Sequence, residues 1–192
     1  MCSRFELNAP SPLLAGRFGL GAPPPLPNRP DIRPTDLGLA IGPQGARLLR
    51  WGLAVDWDAR PLINARIETL AAKPTFRRLL GARILVPATA WWEWRSAGPG
   101  KIKTRMEPVE PGPFALAGLV EADAFVIVTR PATAALAAVH DRMPLVLTGE
   151  AEAAWADPTR PFAEVEALLA ADPGRFSVRD DQPPPAQPDL FG

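Results

Sequence analysis

Between Arg83 and Thr129 five apolar stretches of strand length follow one another, at 83–86, 90–95, 101–106, 114–120 and 125–129. The gaps between them are too short for the crossover that a parallel pair needs, which points to antiparallel pairing. The chain is thereby committed to a mostly antiparallel β core. Further strands are expected at 47–53 and 144–147. Short helices are expected at 74–80, with Pro74 in the first turn, at 132–139 on alanine propensity, and at 150–155 and 162–170. The first forty residues lack periodicity and are broken by Pro23, Pro24, Pro25, Pro27, Pro30 and Pro34. They read as a Pro-rich loop region wrapping the surface, anchored by Phe5, Leu13, Leu14 and Phe18. The fold class is α+β: one domain over 1–179, with short helices flanking the sheet, and a disordered Pro- and Asp-rich tail at 180–192.

Composition removes several function classes. One cysteine (Cys2) and one histidine (His140) cannot assemble a Cys/His zinc site or an internal disulfide, so neither metal nor cofactor is expected. No apolar run nears the roughly 18–20 residues that span a bilayer, and no secretory leader is visible. The expectation is a soluble, cytoplasmic monomer. A net charge of zero conceals an asymmetry: residues 1–105 carry 16 Lys+Arg against 7 Asp+Glu, and residues 106–192 carry 5 against 14. Eighteen of the 21 cationic residues are arginine, the side chain suited to bidentate phosphate contacts. An anionic ligand on the first half fits that bias.

Cys2 holds the most chemistry. Removal of Met1 would leave a terminal α-amine and a thiol on adjacent carbons, with reference pKa values of about 7.7–8.0 and 8.5. Such a 1,2-aminothiol condenses with an aldehyde to an imine, and the thiol then closes a thiazolidine ring. The plainer alternative is an inert thiol on a frayed terminus. His140 stands between an alanine-rich segment and an apolar one, and carries the side chain that titrates nearest neutrality. Strand alternation in Trp91-Trp92-Glu93-Trp94 puts Trp92 and Trp94 on one face and Trp91 and Glu93 on the other. A carboxylate wedged among tryptophans has a raised pKa, the property of an acid/base that works near pH 7. Asn64 and Arg66 alternate likewise, an amide and a guanidinium on one face of an extended segment.

Met1-Cys2-Ser3-Arg4-Phe5, Trp51-Gly52-Leu53, Leu62-Ile63-Asn64-Ala65-Arg66 with Glu68-Thr69, the segment from Arg83 to Trp94, the segment from Phe114 to Glu121 around Ala117-Gly118-Leu119, and His140-Asp141-Arg142-Met143-Pro144 follow one another over residues 1 to about 156. In these motifs and their order the chain resembles the SRAP (SOS-response-associated peptidase) family. The resemblance implies a covalent sensor of abasic sites in single-stranded DNA, gathered at damaged DNA on the nucleoid. It implies Cys2 as nucleophile, Asn64 holding the amine or ring, Glu93 deprotonating the amine, and His140 shuttling protons. It also implies Arg4 and Arg66 on the flanking phosphates, Trp57 and Trp94 as stacking or wedge surfaces, and Thr129 completing the DNA-binding set as a support at a strand end. Ser3 stands where the family usually has glycine, and Asp56 where an aromatic can precede Trp57. A thiol (auto)peptidase using Cys2 and His140, and a noncatalytic single-stranded DNA binder, are the alternatives that share these residues.

Overall fold

A computed structural model describes residues 2–21, 29–170 and 172–181. The chain opens with β1 (Arg4–Leu7), α1 (Ser11–Phe18), β2 (Arg29–Ile32), β3 (Leu37–Gly42) and β4 (Gly45–Trp51), then the hairpin of β5 (Leu53–Val55) and β6 (Asp58–Leu62). β7 (Asn64–Arg66), a 3-10 turn at Ile67–Thr69 and α2 (Pro74–Arg77) lead into the long strands β8 (Arg83–Ala88), β9 (Ala90–Ala97), β10 (Gly100–Pro108), β11 (Phe114–Glu121) and β12 (Ala124–Pro131). β13 (Arg142–Pro144), β14 (Val146–Leu147), α3 (Gly149–Ala156), α4 (Phe162–Leu168) and β15 (Phe176–Asp180) complete it.

Two sheets result. The first runs β15-β10-β9-β1-β2. In the second, β12, β4, β3, β8 and β11 follow one another, and β11 pairs back with β12 to close a ring, which leaves no free edge among those five strands. β11 can lie close beside its neighbours because Gly118 has no side chain: a Cβ there would stand 2.9 Å from Val86 Cγ2 and 3.2 Å from the Val126 carbonyl oxygen.

Alternation along the ring strands sorts their side chains into two cores. Phe114, Leu116, Phe125, Ile127, Ile84 and Val86 join Cys2, Phe5, Trp91 and Met106 of the first sheet. Ala115, Ala117, Leu119, Val126, Val128 and Leu85 face the other way, onto Leu70, Phe76, Trp155, Val165 and Leu169 beneath the helices. The molecule is thus layered as sheet, ring and helices. Fully buried Trp51 and Trp155 anchor both cores, their Nε1 groups donating to the carbonyls of Ile63 (2.8 Å) and Ile84 (3.0 Å). Truncating either would cost about 3–5 kcal/mol.

The five expected strands are present, with ends extended by a few residues, but only β9–β10 and β11–β12 pair as hairpins; β8 and β9, and β10 and β11, lie in different sheets, because the chain crosses from one sheet to the other between them. Other expectations also need correction. Residues 4–7, 29–32 and 37–42 are strands and 11–18 a helix, so the first forty residues supply sheet and core rather than loop alone. Phe5 and Leu14 are fully buried as anchors, whereas Leu13 is exposed, and Pro23, Pro24, Pro25 and Pro27 lie outside the described residues. Residues 132–139 form successive turns, not a helix. Their bonds to the Thr133 and Leu136 carbonyls close single turns. Eight residues that bury one large side chain, Leu136, gain too little from packing to overcome helix nucleation. At the C-terminus β15 includes Asp180, the first residue assigned to the tail, and residues from 182 onward lie outside the description.

Candidate active site

β12 organises the site because it changes partners along its length. On one side it pairs with β7, and on the other with β13 where it diverges from β11, so Thr129 lies opposite both Arg66 and Pro144. Asn64 and His140, 76 positions apart in the chain, are thereby delivered to the same end of the ring. Cys2 and Glu93 come from the first sheet. β1 pairs with β9 at Arg4↔Trp92 and Phe5↔Trp91, a register that, continued backwards, sets Cys2 and Ser3 beside Trp94 and Glu93.

Cys2 has no exposed surface. Asn64 Nδ2 donates to its carbonyl oxygen at 2.7 Å, while Asn64 Oδ1 is buried and accepts no hydrogen bond from the described residues. An amide held on one side, with an idle acceptor on the other, is equipped to receive an N–H beside Cys2. Burial first, and the Glu93 carboxylate next, push the Cys2 thiol far above the ordinary cysteine range. Burial likewise lifts the Glu93 carboxyl to about 7, against the opposing pull of the positive chain terminus. His140 is shifted down, chiefly by burial, and its Nδ1 accepts the Arg142 backbone N–H at 2.9 Å. Asp141 Oδ1 stands 2.7 Å from that nitrogen and acts the other way, but burial prevails and favours the neutral ring.

Arg4 places its guanidinium 5.5 Å from the Trp94 ring centroid and pairs with Asp31. Trp92, on the same face of β9, is covered by Lys103, whose Nζ lies 3.8 Å from the ring centroid. Arg66 is exposed, and Trp57, 68 % exposed, caps the β5–β6 hairpin beside exposed Asp56. Thr129 departs from its expected place. It is fully buried and cannot face DNA; its Oγ1 donates to the Ala65 carbonyl and accepts from Arg142 Nη2. It acts through Arg142, which also forms a bidentate pair with Glu68 and so ties the His140 loop to the segment after Asn64. Arg142 and Glu68 stood inside the quoted motifs, but only the pairing of β7 and β13 around β12 reveals their work. Asp31 and Arg33 carried no signal in sequence, being joined to Arg4 solely by the β1–β2 pairing. No group of three His, Cys, Asp or Glu side chains among the described residues could hold a metal ion.

A buried thiol, an amide on its carbonyl, a carboxyl raised by burial and an imidazole lowered by burial are thus gathered at the head of β1. The chain belongs to the SOS response associated peptidase (SRAP) family, whose model matches residues 1–180. It is 34 % identical over 185 residues to the abasic site processing protein YoaM of Bacillus subtilis, covering 82 % of this chain and 80 % of YoaM. It is 38 % identical over 127 residues to YoqW of the same organism and 37 % over 115 residues to YedK of Escherichia coli, both also named abasic site processing proteins. Those matches take in 57 % and 55 % of this chain and span just over half the relatives' length, 56 % and 52 %. Among solved structures, a protein of Bacteroides thetaiotaomicron superposes with a TM-score of 0.81 at 23 % identity, covering 94 % of this chain and 92 % of its own. A phage-related protein of Bordetella bronchiseptica does so with 0.79 at 28 %, covering 95 % of each. No helix among the described residues is long and apolar enough to cross a membrane.

Proposed function

We propose that this protein acts on abasic sites in single-stranded DNA and traps them covalently through Cys2 once Met1 has been removed. The α-amine adds to the C1′ aldehyde of the ring-opened sugar, and the resulting carbinolamine loses water to give an imine. The thiol sulfur then bonds to the imine carbon while its proton passes to the nitrogen, closing a thiazolidine; one water is released overall. Glu93 takes the proton from the terminal ammonium. Its pKa of about 7 lies within about one unit of an α-amine, so the transfer is nearly balanced. His140 supplies a proton from Nε2 to the sugar oxygen as the ring opens, and Asn64 Oδ1 accepts from the amine. Arg4 and Arg66 hold the flanking phosphates, and Trp57 and Trp94 present faces to neighbouring bases.

The observation that carries this reading is the meeting of buried Cys2 and Glu93 with half-buried Asn64, whose Oδ1 is itself buried, at the head of β1. A thiol peptidase would instead require a Cys2–His140 ion pair, and here burial drives both groups toward their neutral forms. The test is incubation of protein whose terminus is verified by intact mass with a single-stranded oligonucleotide bearing one abasic site, followed by a denaturing gel. A heat-stable shifted band that needs the abasic site, Cys2 and a free α-amine is the expected result. A band that survives blocking of the amine, or no band from protein lacking Met1, overturns the proposal.

A further inference from the structure

Arg4 Nη1 lies 2.9 Å from Asp31 Oδ2, and Arg33 reaches the same oxygen with Nε at 2.9 Å and Nη2 at 2.7 Å. Three donors from two arginines converge on one oxygen, while Asp31 Oδ1 is buried and accepts no hydrogen bond from the described residues. An ordinary ion-pair network spreads its donors over both carboxylate oxygens. Here a single oxygen sits at the focus, as one non-bridging oxygen of a phosphodiester would.

The segment that carries Arg33 is built at some cost. Arg33-Pro34-Thr35-Asp36 is closed by the Asp36 N–H donating to the Arg33 carbonyl at 3.0 Å, and Thr35 sits at φ 76°, where a type II turn ordinarily has glycine. A β-branched residue is strained in that region. Its N–H donates to the Trp51 carbonyl at 2.8 Å, and Asp36 Oδ2 accepts the Arg33 backbone N–H at 3.0 Å, so the turn is held in place. The Arg33 side chain remains 58 % exposed and that of Arg4 26 %, so an anion from solvent reaches both.

We propose that Arg4 and Arg33 form one phosphate site for the DNA strand beside the lesion, and that Asp31 occupies it as an internal stand-in which the incoming phosphate displaces. This deepens the functional reading above and rests on it for the source of the phosphate. Asp31 sets a charge penalty on every phosphate that enters, which holds down affinity for undamaged strands and leaves selection to the aldehyde chemistry.

The test is fluorescence anisotropy of the full chain with an undamaged single-stranded oligonucleotide over a salt series, with thermal melting as a fold control. Asp31→Asn keeps the shape and removes the charge, and should tighten binding about fivefold, the effect of one unit charge a few ångströms away in a high dielectric. Arg33→Ala should weaken binding and lower the slope of log K against log salt by about 0.7, one phosphate contact on a single strand. The gain from Asp31→Asn should shrink when Arg33 is already alanine. Unchanged or weaker binding by a folded Asp31→Asn, or no change with Arg33→Ala, overturns the proposal. So does an Arg33-dependent thermal shift with inorganic phosphate alone, which would assign the site to a free anion. Crosslinking of an abasic oligonucleotide by the same preparations keeps the two proposals apart. Wild type that neither binds nor crosslinks sinks the functional reading, whereas wild type that crosslinks while both variants bind unchanged sinks the Asp31–Arg33 site alone.

Discussion

Arg83 and Glu93, two of the charged side chains the protein buries, lie on opposite sides of its ring, and the fold treats them in opposite ways. On the helix side Arg83 is 3 % exposed, and its guanidinium donates to the carbonyls of Leu80, Trp155, Asp157 and Arg160. Backbone that leaves α3 without further helical partners finds its donor there, and the cation's hydrogen bonds go to neutral carbonyls, with the Asp157 carboxylate adding to its stabilisation. On the sheet side Glu93 is 2 % exposed, and burial brings its carboxyl to about 7. The first arrangement holds a charge permanently and closes the end of a helix. The second leaves a proton free to come and go near neutral pH. A buried charge becomes architecture or chemistry according to whether its surroundings fix its protonation state.

Substitutions should separate the two sides. Cys2→Ala should abolish the covalent product on a denaturing gel while costing about 1 kcal/mol of stability, since it trims a single buried sulfur. Glu93→Gln should slow adduct formation about 10²–10⁴-fold with the fold retained, as measured by single-turnover gel kinetics and circular dichroism. Arg83→Met should reverse that pattern: four carbonyls lose their donor, stability falls by about 3–5 kcal/mol in a denaturant titration, and the molecules that remain folded crosslink at the wild-type rate. Equal loss of activity and stability in both variants would collapse the comparison.

The pH dependence sharpens it. Because the Glu93 carboxyl titrates higher in the folded protein (about 7) than at its ordinary value of 4.5, the folded state binds the extra proton between those values. Stability should therefore fall as pH rises from about 4.5 to about 7 and level off above. Glu93→Gln should flatten that slope in a series of melting curves, and Arg83→Met should leave its shape unchanged. The smallest effect belongs to Trp57→Ala at the exposed hairpin tip. Its melting temperature should match wild type, and single-strand binding should weaken by about 1–3 kcal/mol, the contribution of one stacked base.

The long strands were legible as elements because they are apolar and closely spaced, while their division between two sheets was not, since two of the short gaps are crossings and not hairpins; the motifs carried Cys2, Asn64, Glu93 and His140. The N-terminal strands were hidden because β1 and β2 are four residues each, too short to display alternation, and are stabilised by partners far along the sequence, as in Phe5↔Ile32 and Phe5↔Trp91. Residues 132–139 misled through alanine propensity, a local preference that their tertiary setting does not reward. The burial of Thr129 was illegible for a related reason. Exposure depends on which strands flank it, and β7 and β13 enclose it from both sides.

The position of β1 bears on a property outside equilibrium chemistry. It lies between β9 and β2, not at the rim of its sheet, and Cys2 stands at its head. A nucleic acid strand attached there and drawn away along the β1 axis would load the hydrogen bonds to both neighbours in shear, all together, rather than unzipping them one by one. In an optical-trap experiment, rupture should come as a single high-force event that takes the sheet with it. A gradual low-force extension would show the strand peeling free. With the adduct proposed above, this end of the chain would be seated as a mechanical anchor, able to hold an attached strand against machinery that tracks along DNA and pulls.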